Sequence, residues 1–112
     1  MEEILKRIDE AVKSRPVVIF MKGTPAQPRC GFSMRASQAL QQTGVEFAYI
    51  NVLDSEHVFQ ALPHYANWPT FPQIYIDGEL VGGCDIIEEL AASGELQKLC
   101  EAAISAPAEP VS

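Results

Sequence analysis

Five consecutive apolar residues, Val17–Met21, constrain the fold of this chain more than any other feature. A run this short, made mostly of β-branched and aromatic side chains, predicts a β-strand that is buried on both faces. Before it, from about Glu2 to Ser14, apolar side chains recur at helical spacing until Pro16 ends the pattern. A helix followed by a fully buried strand requires a sheet with helices on both faces.

The rest of the chain also alternates between helical and strand patterns. The predicted elements are a helix at about 31–43 closed by Gly44, a strand at 47–52, a helix at 55–65, hairpin strands at 74–76 and 80–81 around Asp77 and Gly78, a helix introduced by Asp85 and Glu88 as a capping box, and a last helix at 95–104. Strands separated by helices pair in parallel, whereas the hairpin is antiparallel. The order therefore predicts an α/β, thioredoxin-like fold, with a four-stranded mixed sheet flanked by helices in a single domain.

The composition limits the classes of protein to which the chain can belong. We assign residues 1–104 to the domain and expect the Pro-rich segment 105–112 to be a flexible tail. The net charge of −7 argues against a nucleic-acid partner. The longest apolar run near the amino terminus is too short for a signal peptide or a membrane span, so we expect a cytoplasmic or organelle-matrix protein with no membrane partner. Three cysteines are too few, and odd in number, for a disulfide scaffold, so each is interpreted as a thiol.

Cys30 is the thiol with the most informative surroundings. Residues 11–45 contain no Asp or Glu but include five basic residues, Lys13, Arg15, Lys22, Arg29 and Arg35. The Gly- and Pro-containing loop before Cys30 gives way to a helix at Gly31, so Cys30 is predicted at a helix amino terminus. Unpaired backbone N–H groups and nearby cations there favour the thiolate, and we expect a lowered pKa for Cys30.

Ser33 stands where a C-x-x-C motif would hold its second cysteine. Without that thiol, a two-cysteine redox cycle within the motif is not available. Exchange with glutathione or ligation of a metal remains for Cys30. His57 and His64 have no metal-ligand spacing relative to Cys30, and we interpret them as surface side chains on a polar helix.

Four separated motifs carry a resemblance to a known family. The sequence contains "MKGTPAQP", then "CGFS" at 30–33, then "NWPTFPQIYIDG" and "ELVGGCD" in that order. Over about residues 2–100 it resembles the monothiol glutaredoxins of the CGFS class. The resemblance implies glutathione binding and a homodimer that holds a subunit-bridging 2Fe-2S cluster. It also implies a role in cluster assembly, storage or transfer, with a BolA-like protein and iron-sulfur apo-proteins as partners, and at most weak disulfide reductase activity.

The resemblance also implies roles for individual residues. Cys30 is the cluster ligand and the reactive thiol, and Lys22 is the partner of the thiolate or of the glycyl carboxylate. Pro72 is a cis-proline, which leaves the backbone of Thr70 and Phe71 free to pair with the cysteinyl part of glutathione. In "GGCD", Gly83 permits a close backbone approach, and the amides of Cys84 and Asp85 are positioned for the γ-glutamyl carboxylate. The Asp85 side chain faces the ligand's ammonium, caps the helix, or does both.

Several alternatives remain open from the sequence. Cys84 of each chain satisfies the count of four thiolate ligands as well as glutathione does. Cys30 is also suited to a glutathione-dependent oxidoreductase that reduces protein-glutathione mixed disulfides, with a second glutathione or Cys84 resolving the product. A third interpretation is a regulatory module with a redox-sensing thiol. Trp68 fits the core or an interface, and Cys100 fits the core.

Phe59 departs from the pattern of the class, in which relatives often carry a basic residue that binds the glycyl carboxylate. Because Phe59 forms no ion pair, we predict weaker retention of glutathione or cluster than in such relatives. The Phe59→Arg variant is expected to lose its cluster more slowly than the parent chain, measured side by side from the decay of cluster absorbance. An unchanged rate of loss would contradict this prediction.

Overall fold

Strand β1 (Val17–Met21) is buried along its whole length, which confirms the prediction from the apolar run. The structure is a computed structural model and describes residues 2–105. Its other elements are α1 (Glu2–Ser14), α2 (Gly31–Gln42), β2 (Ala48–Asn51), a short 3₁₀ turn (Val52–Asp54), α3 (Glu56–Tyr65), β3 (Gln73–Ile76), β4 (Glu79–Gly82), α4 (Cys84–Ser93) and α5 (Glu95–Ser105). None of the helices in this described range is both long and apolar enough to cross a membrane.

The four strands form one mixed sheet in the order β2-β1-β3-β4. β1 runs parallel to β2 and antiparallel to β3, and β3 and β4 form the antiparallel hairpin. Ile19 pairs with Tyr49 on one side and Ile74 on the other, so β1 has a neighbour along both edges. This arrangement confirms the thioredoxin-like fold. Because α2 connects the parallel strands β1 and β2, its amino terminus lies near the carboxyl end of β1.

Alternate residues of β1 face two separate halves of the core, because successive side chains of a strand point to opposite faces. Val17, Ile19 and Met21 pack with the helices α2, α4 and α5, and the helical members of this half include Leu40, Ile87, Leu96 and Cys100. Val18 and Phe20 pack with α1 and α3, where Ile8, Val12 and Leu62 are buried. Cys100 is fully buried, as expected for a core residue, and both histidines of α3 are exposed, also as predicted.

Two of the differences from the sequence-based prediction concern the start of α4 and the end of α5. The prediction of a capping box at Asp85 and Glu88 is wrong. Helix α4 begins at Cys84, and its N-cap is Gly83, with no side-chain capping bond. Gly83 takes this position in an extended conformation, and its carbonyl accepts the N–H of Ile87 at 3.0 Å, so the helix starts without a side-chain cap. At the other end, α5 includes Ser105, and the rest of the predicted tail, 106–112, lies outside the described residues.

A buried polar network fixes the start of β3. The Gln73 side chain is fully buried, and its Nε2 donates to the carbonyl of Trp68 at 2.9 Å. Its Oε1 accepts from the hydroxyl of Tyr75 at 2.8 Å, also in the core. Burying a polar atom costs free energy unless the atom is hydrogen-bonded, so this network holds the loop before β3 against the sheet.

We predict that Tyr75→Phe lowers the free energy of unfolding by about 1–3 kcal/mol, because it leaves the buried Gln73 Oε1 without a donor. Tyr49→Phe is the matched control, since Tyr49 is 50% exposed on the edge strand β2. That change is expected to stay within about 0.5 kcal/mol. Equilibrium urea unfolding of both variants gives the comparison, and equal losses would mean that the Tyr75 hydroxyl contributes nothing specific.

Candidate functional site

Cys30 is the N-cap of α2, as predicted. Its backbone is extended, at φ −151° and ψ 136°, and its carbonyl accepts the N–H of Met34 at 2.9 Å to begin the helix. Its side chain makes no capping bond, and the residue is half-buried. The thiol therefore lies beside the unpaired N–H groups of the first helical turn and remains accessible.

The surroundings lower the pKa of the Cys30 thiol. Burial acts in the opposite direction and raises it, but this is outweighed by the backbone N–H groups of Ser33 and Phe32, by the charge of Lys22 and by the Ser33 hydroxyl. The lowered pKa confirms the prediction. The expected contributions of Arg29 and Arg35 are wrong, because Lys22 is the one cation whose charge lowers the pKa of Cys30 among the described residues. The Arg35 guanidinium points to α4 instead, with Nε 3.5 Å from Glu88.

Ser33, at the position where a second thiol would stand, has a structural role. It is fully buried, and its Oγ accepts the backbone N–H of Lys22 at 3.0 Å. The carbonyl of Lys22 accepts the N–H of Arg29 at 2.9 Å, which closes the loop that leads to Cys30. The Ser33 hydroxyl thus joins the end of β1 to the first turn of α2 and holds the backbone of Lys22 there.

A groove of about 760 Å³ opens next to Cys30. All the residues predicted from the sequence line it, namely Lys22, Cys30, Thr70, Phe71, Pro72, Gly83, Cys84 and Asp85. Trp68 and Phe59, which the sequence singled out, also line it. The sequence-based interpretation missed four more lining residues, Phe32, Pro63, Pro69 and Ile86. Phe32 and Ile86 are exposed apolar side chains, 55% and 37%. The one available signal was an aromatic residue, Phe32, two positions after the reactive cysteine.

The loop between α3 and β3 forms one wall of the groove. The Phe71–Pro72 peptide bond is cis, which confirms the implication of the resemblance. Gln73 holds this loop through the carbonyl of Trp68, as described above. Within residues 2–105, the backbone N–H and carbonyl of Phe71 make no hydrogen bond. These groups are therefore available to pair with an extended peptide in the manner of an added strand.

The amino terminus of α4 forms the opposite wall. Gly83 lies so close to the loop that a Cβ atom there would be 3.2 Å from the carbonyl of Pro72 and 3.5 Å from Nε1 of Trp68. A side chain at position 83 would therefore push the carbonyl of Pro72 away by a few tenths of an ångström and loosen the contact between the two walls. The amides of Cys84 and Asp85 lie in the first turn of α4, where N–H groups have no partner within the helix and attract anions. The exposed Asp85 side chain is left to face the groove or solvent.

Lys22 lies over an aromatic pair on the groove wall. Its Nζ is 5.8 Å from the centroid of the Phe59 ring. The Phe59 ring in turn contacts the Phe71 ring, with centroids 5.1 Å apart and planes tilted by 47°. The Phe59 position therefore supplies no ion pair but a cation–π contact to the lysine.

Cys84 differs from Cys30 in exposure and in charge environment. It is only 6% exposed, and burial raises the pKa of its thiol, with the Glu88 charge in the same direction and Arg35 opposing both. Nη2 of Arg35 approaches its Sγ at 3.7 Å. Cys84, Asp85 and Glu88 bring ligand-type atoms within 4.8 Å of one another, but the guanidinium bridges two of them and supplies the positive charge there.

Comparisons with known proteins agree on one family. The glutaredoxin family profile matches residues 17–81, a segment that includes Cys30 and the loop at 68–72. The chain is similar to glutaredoxin 4 of Buchnera aphidicola (strain APS), with 52% identity over 96 residues, 86% of this chain and 89% of that protein. The solution structure of reduced poplar apo GrxS14 matches at 48% identity with a TM-score of 0.77, covering 90% of this chain and 93% of that one. The holo form of glutaredoxin C1 from Populus tremula x tremuloides matches at 30% identity with a TM-score of 0.83, covering 94% and 93%.

We predict that Lys22→Met moves the pH midpoint of Cys30 alkylation upward, because the thiolate is the nucleophile and the Lys22 charge favours it. At neutral pH the variant should therefore react more slowly with iodoacetamide. Arg29→Met is the control, since Arg29 directly precedes Cys30 in the sequence but does not contribute to the lowered pKa of the Cys30 thiol. Rates are measured from the alkylated peptide that carries Cys30. Equal upward shifts in both variants would mean that the whole basic stretch, and not Lys22, sets the pKa.

Proposed function

This chain belongs to the glutaredoxin family, and we propose that it is a monothiol member of the CGFS class that binds glutathione and a subunit-bridging 2Fe-2S cluster. One observation carries the proposal. Cys30 is a half-buried thiol of lowered pKa beside a peptide-sized groove, and the position of a resolving thiol is occupied by the buried, hydrogen-bonded Ser33. The arrangement favours a thiolate that binds over one that cycles through an internal disulfide.

The groove offers each part of glutathione a complementary group. Lys22 supplies a cation for the glycyl carboxylate, and the free backbone groups of Phe71 suit the cysteinyl residue. The amides of Cys84 and Asp85 suit the γ-glutamyl carboxylate at the start of α4, with the Asp85 carboxylate available for the ammonium. Bound in this direction, glutathione presents its sulfur next to Cys30.

Thiolates are the ligands that 2Fe-2S clusters prefer, and Cys30 fits this requirement because it is accessible and ionises readily. One such thiolate per chain leaves two of the four ligands missing in a dimer. We propose that one glutathione sulfur per subunit completes the set. The cluster is then held as cargo at the surface of each subunit, where an iron-sulfur apo-protein can receive it.

Cys84 is a poor alternative ligand. Its sulfur is buried, its thiol pKa is raised, and the Arg35 guanidinium lies 3.7 Å away. An iron ion brought to this sulfur would be repelled by the guanidinium and would require α4 to expose the side chain. We therefore assign the amide of Cys84, and not its sulfur, to the site.

A cytoplasmic role in cluster storage or transfer follows from the proposal, with a BolA-like protein and iron-sulfur apo-proteins as the partners. Glutaredoxin C1, which is 30% identical to this chain, has a holo form, and this supports the proposal that a protein of this fold can hold a bound group. The relatives named glutaredoxin 4 support the choice within the family.

A second candidate function rests on the lowered pKa of the accessible Cys30 thiol. Its thiolate can attack a protein-glutathione mixed disulfide, forming a bond to the glutathione sulfur and releasing the protein thiolate, which takes up a proton. Ser33 cannot resolve the product, so a free glutathione must attack it to give glutathione disulfide. This requirement predicts weak reductase activity.

Anaerobic reconstitution with iron, sulfide and glutathione tests the first function. We expect 2Fe-2S absorbance together with a dimer by size-exclusion chromatography, and loss of both in Cys30→Ser. Cys84→Ser is the matched control for the other sulfur at the groove. It should keep the cluster while glutathione is present and lose it when glutathione is removed.

Two results would contradict the proposal. If the cluster survives in Cys30→Ser, Cys30 is not its ligand. Rapid turnover of a glutathionylated substrate by a chain that takes up no cluster would favour the oxidoreductase instead.

A further inference from the structure

The groove has an unusual distribution of charge at its Lys22 end. Among the described residues that line it, Lys22 carries the one positive charge and Asp85 the one negative charge. Around Lys22 the wall is aromatic, because the Phe59 ring lies 5.8 Å below its Nζ and packs against Phe71. Pro63 extends this apolar surface.

We propose that Phe59 is a specificity-determining residue, and that the groove accepts thiol peptides whose carboxy-terminal group is uncharged and apolar nearly as well as it accepts glutathione. The inference rests on the proposed glutathione site and defines its substrate class. In this groove the aromatic wall, and not charge pairing alone, receives the last residue of the ligand.

The energetics of the two contacts support this. A lysine ammonium is a compact, hydrated charge without the two-pronged geometry of arginine, and Lys22 is only partly buried. An ion pair of this kind changes a binding constant by no more than about fivefold. Each methylene group placed against an apolar wall contributes about fourfold. A small apolar ester therefore recovers in contact area what it loses in charge.

Lys22 also already has a partner on the protein side. The face of the Phe59 ring attracts the ammonium, so a ligand carboxylate competes with a contact that is present without it. An arginine at position 59 would instead add a fork of donors to the same end of the groove, and charge-assisted bonds of that kind are about twice as strong as neutral ones.

Competition between two disulfides measures the preference directly. The full chain is equilibrated with equal concentrations of glutathione and its glycyl ethyl ester, each present as thiol and as disulfide. The Cys30 thiolate attacks a disulfide, one peptide becomes bonded to Cys30, and the other leaves as a thiolate that takes up a proton. Mass spectrometry of the proteolytic peptide carrying Cys30 gives the ratio of the two adducts, and the same mixture with urea-unfolded protein gives the intrinsic ratio.

After division by the intrinsic ratio, we expect the two adducts of the parent chain to agree within about fivefold. Phe59→Arg is expected to shift the ratio toward glutathione by about tenfold or more. Phe59→Leu is the matched control, because it keeps an apolar wall without adding a cation. It removes the cation–π contact to Lys22, so its ratio should move toward glutathione by less than about fivefold, well short of the shift in Phe59→Arg.

The outcomes separate this inference from the function on which it rests. A parent chain that prefers glutathione by more than about tenfold overturns the inference and leaves the glutathione site intact. An unchanged ratio in a folded Phe59→Arg variant overturns the role of Phe59. If neither peptide is enriched on Cys30 over the unfolded protein, the glutathione site itself fails, and the inference fails with it.

Discussion

Strand β1 has no face turned to water, and the arrangement of the other elements follows from that burial. Its odd-numbered residues require α2, α4 and α5 on one side, and its even-numbered residues require α1 and α3 on the other. The chain must therefore turn beyond the carboxyl end of β1 before α2 can pack back onto the sheet. Cys30 occupies that turn. A reactive side chain at this position needs no special scaffold, because the packing of the core has already placed it at a helix amino terminus.

The hydrogen bond between Ser33 and the backbone of Lys22 links the chemistry of the site to its architecture. In a two-cysteine motif the fourth position would contribute a reactive group, whereas here it contributes an acceptor that is fully buried. The same contact positions the cation that favours ionisation of Cys30. Ser33 thus both occupies the position of a second thiol and holds the backbone of Lys22.

Local sequence patterns were sufficient for the fold, whereas the family resemblance supplied most of the residues predicted at the groove. The apolar run of β1, the hairpin turn at Asp77 and Gly78 with positive φ at both positions, and the start of α2 all depend on near neighbours in sequence. The resemblance supplied the cis bond before Pro72. What sequence could not give were contacts between distant elements. Arg35 contacts Glu88 and Cys84 on α4, although Cys30 lies nearer in sequence. Lys22 lies over the Phe59 ring because the packing of α3 brings that ring there.

The position of the Trp68 indole beside Gly83 has an optical consequence. This indole is the only one in the chain, and it forms part of the groove wall. Its Nε1 is buried and has no acceptor among the described residues. The tryptophan fluorescence of the protein therefore originates at the groove itself, so that a molecule entering or leaving can be followed by this emission without any label.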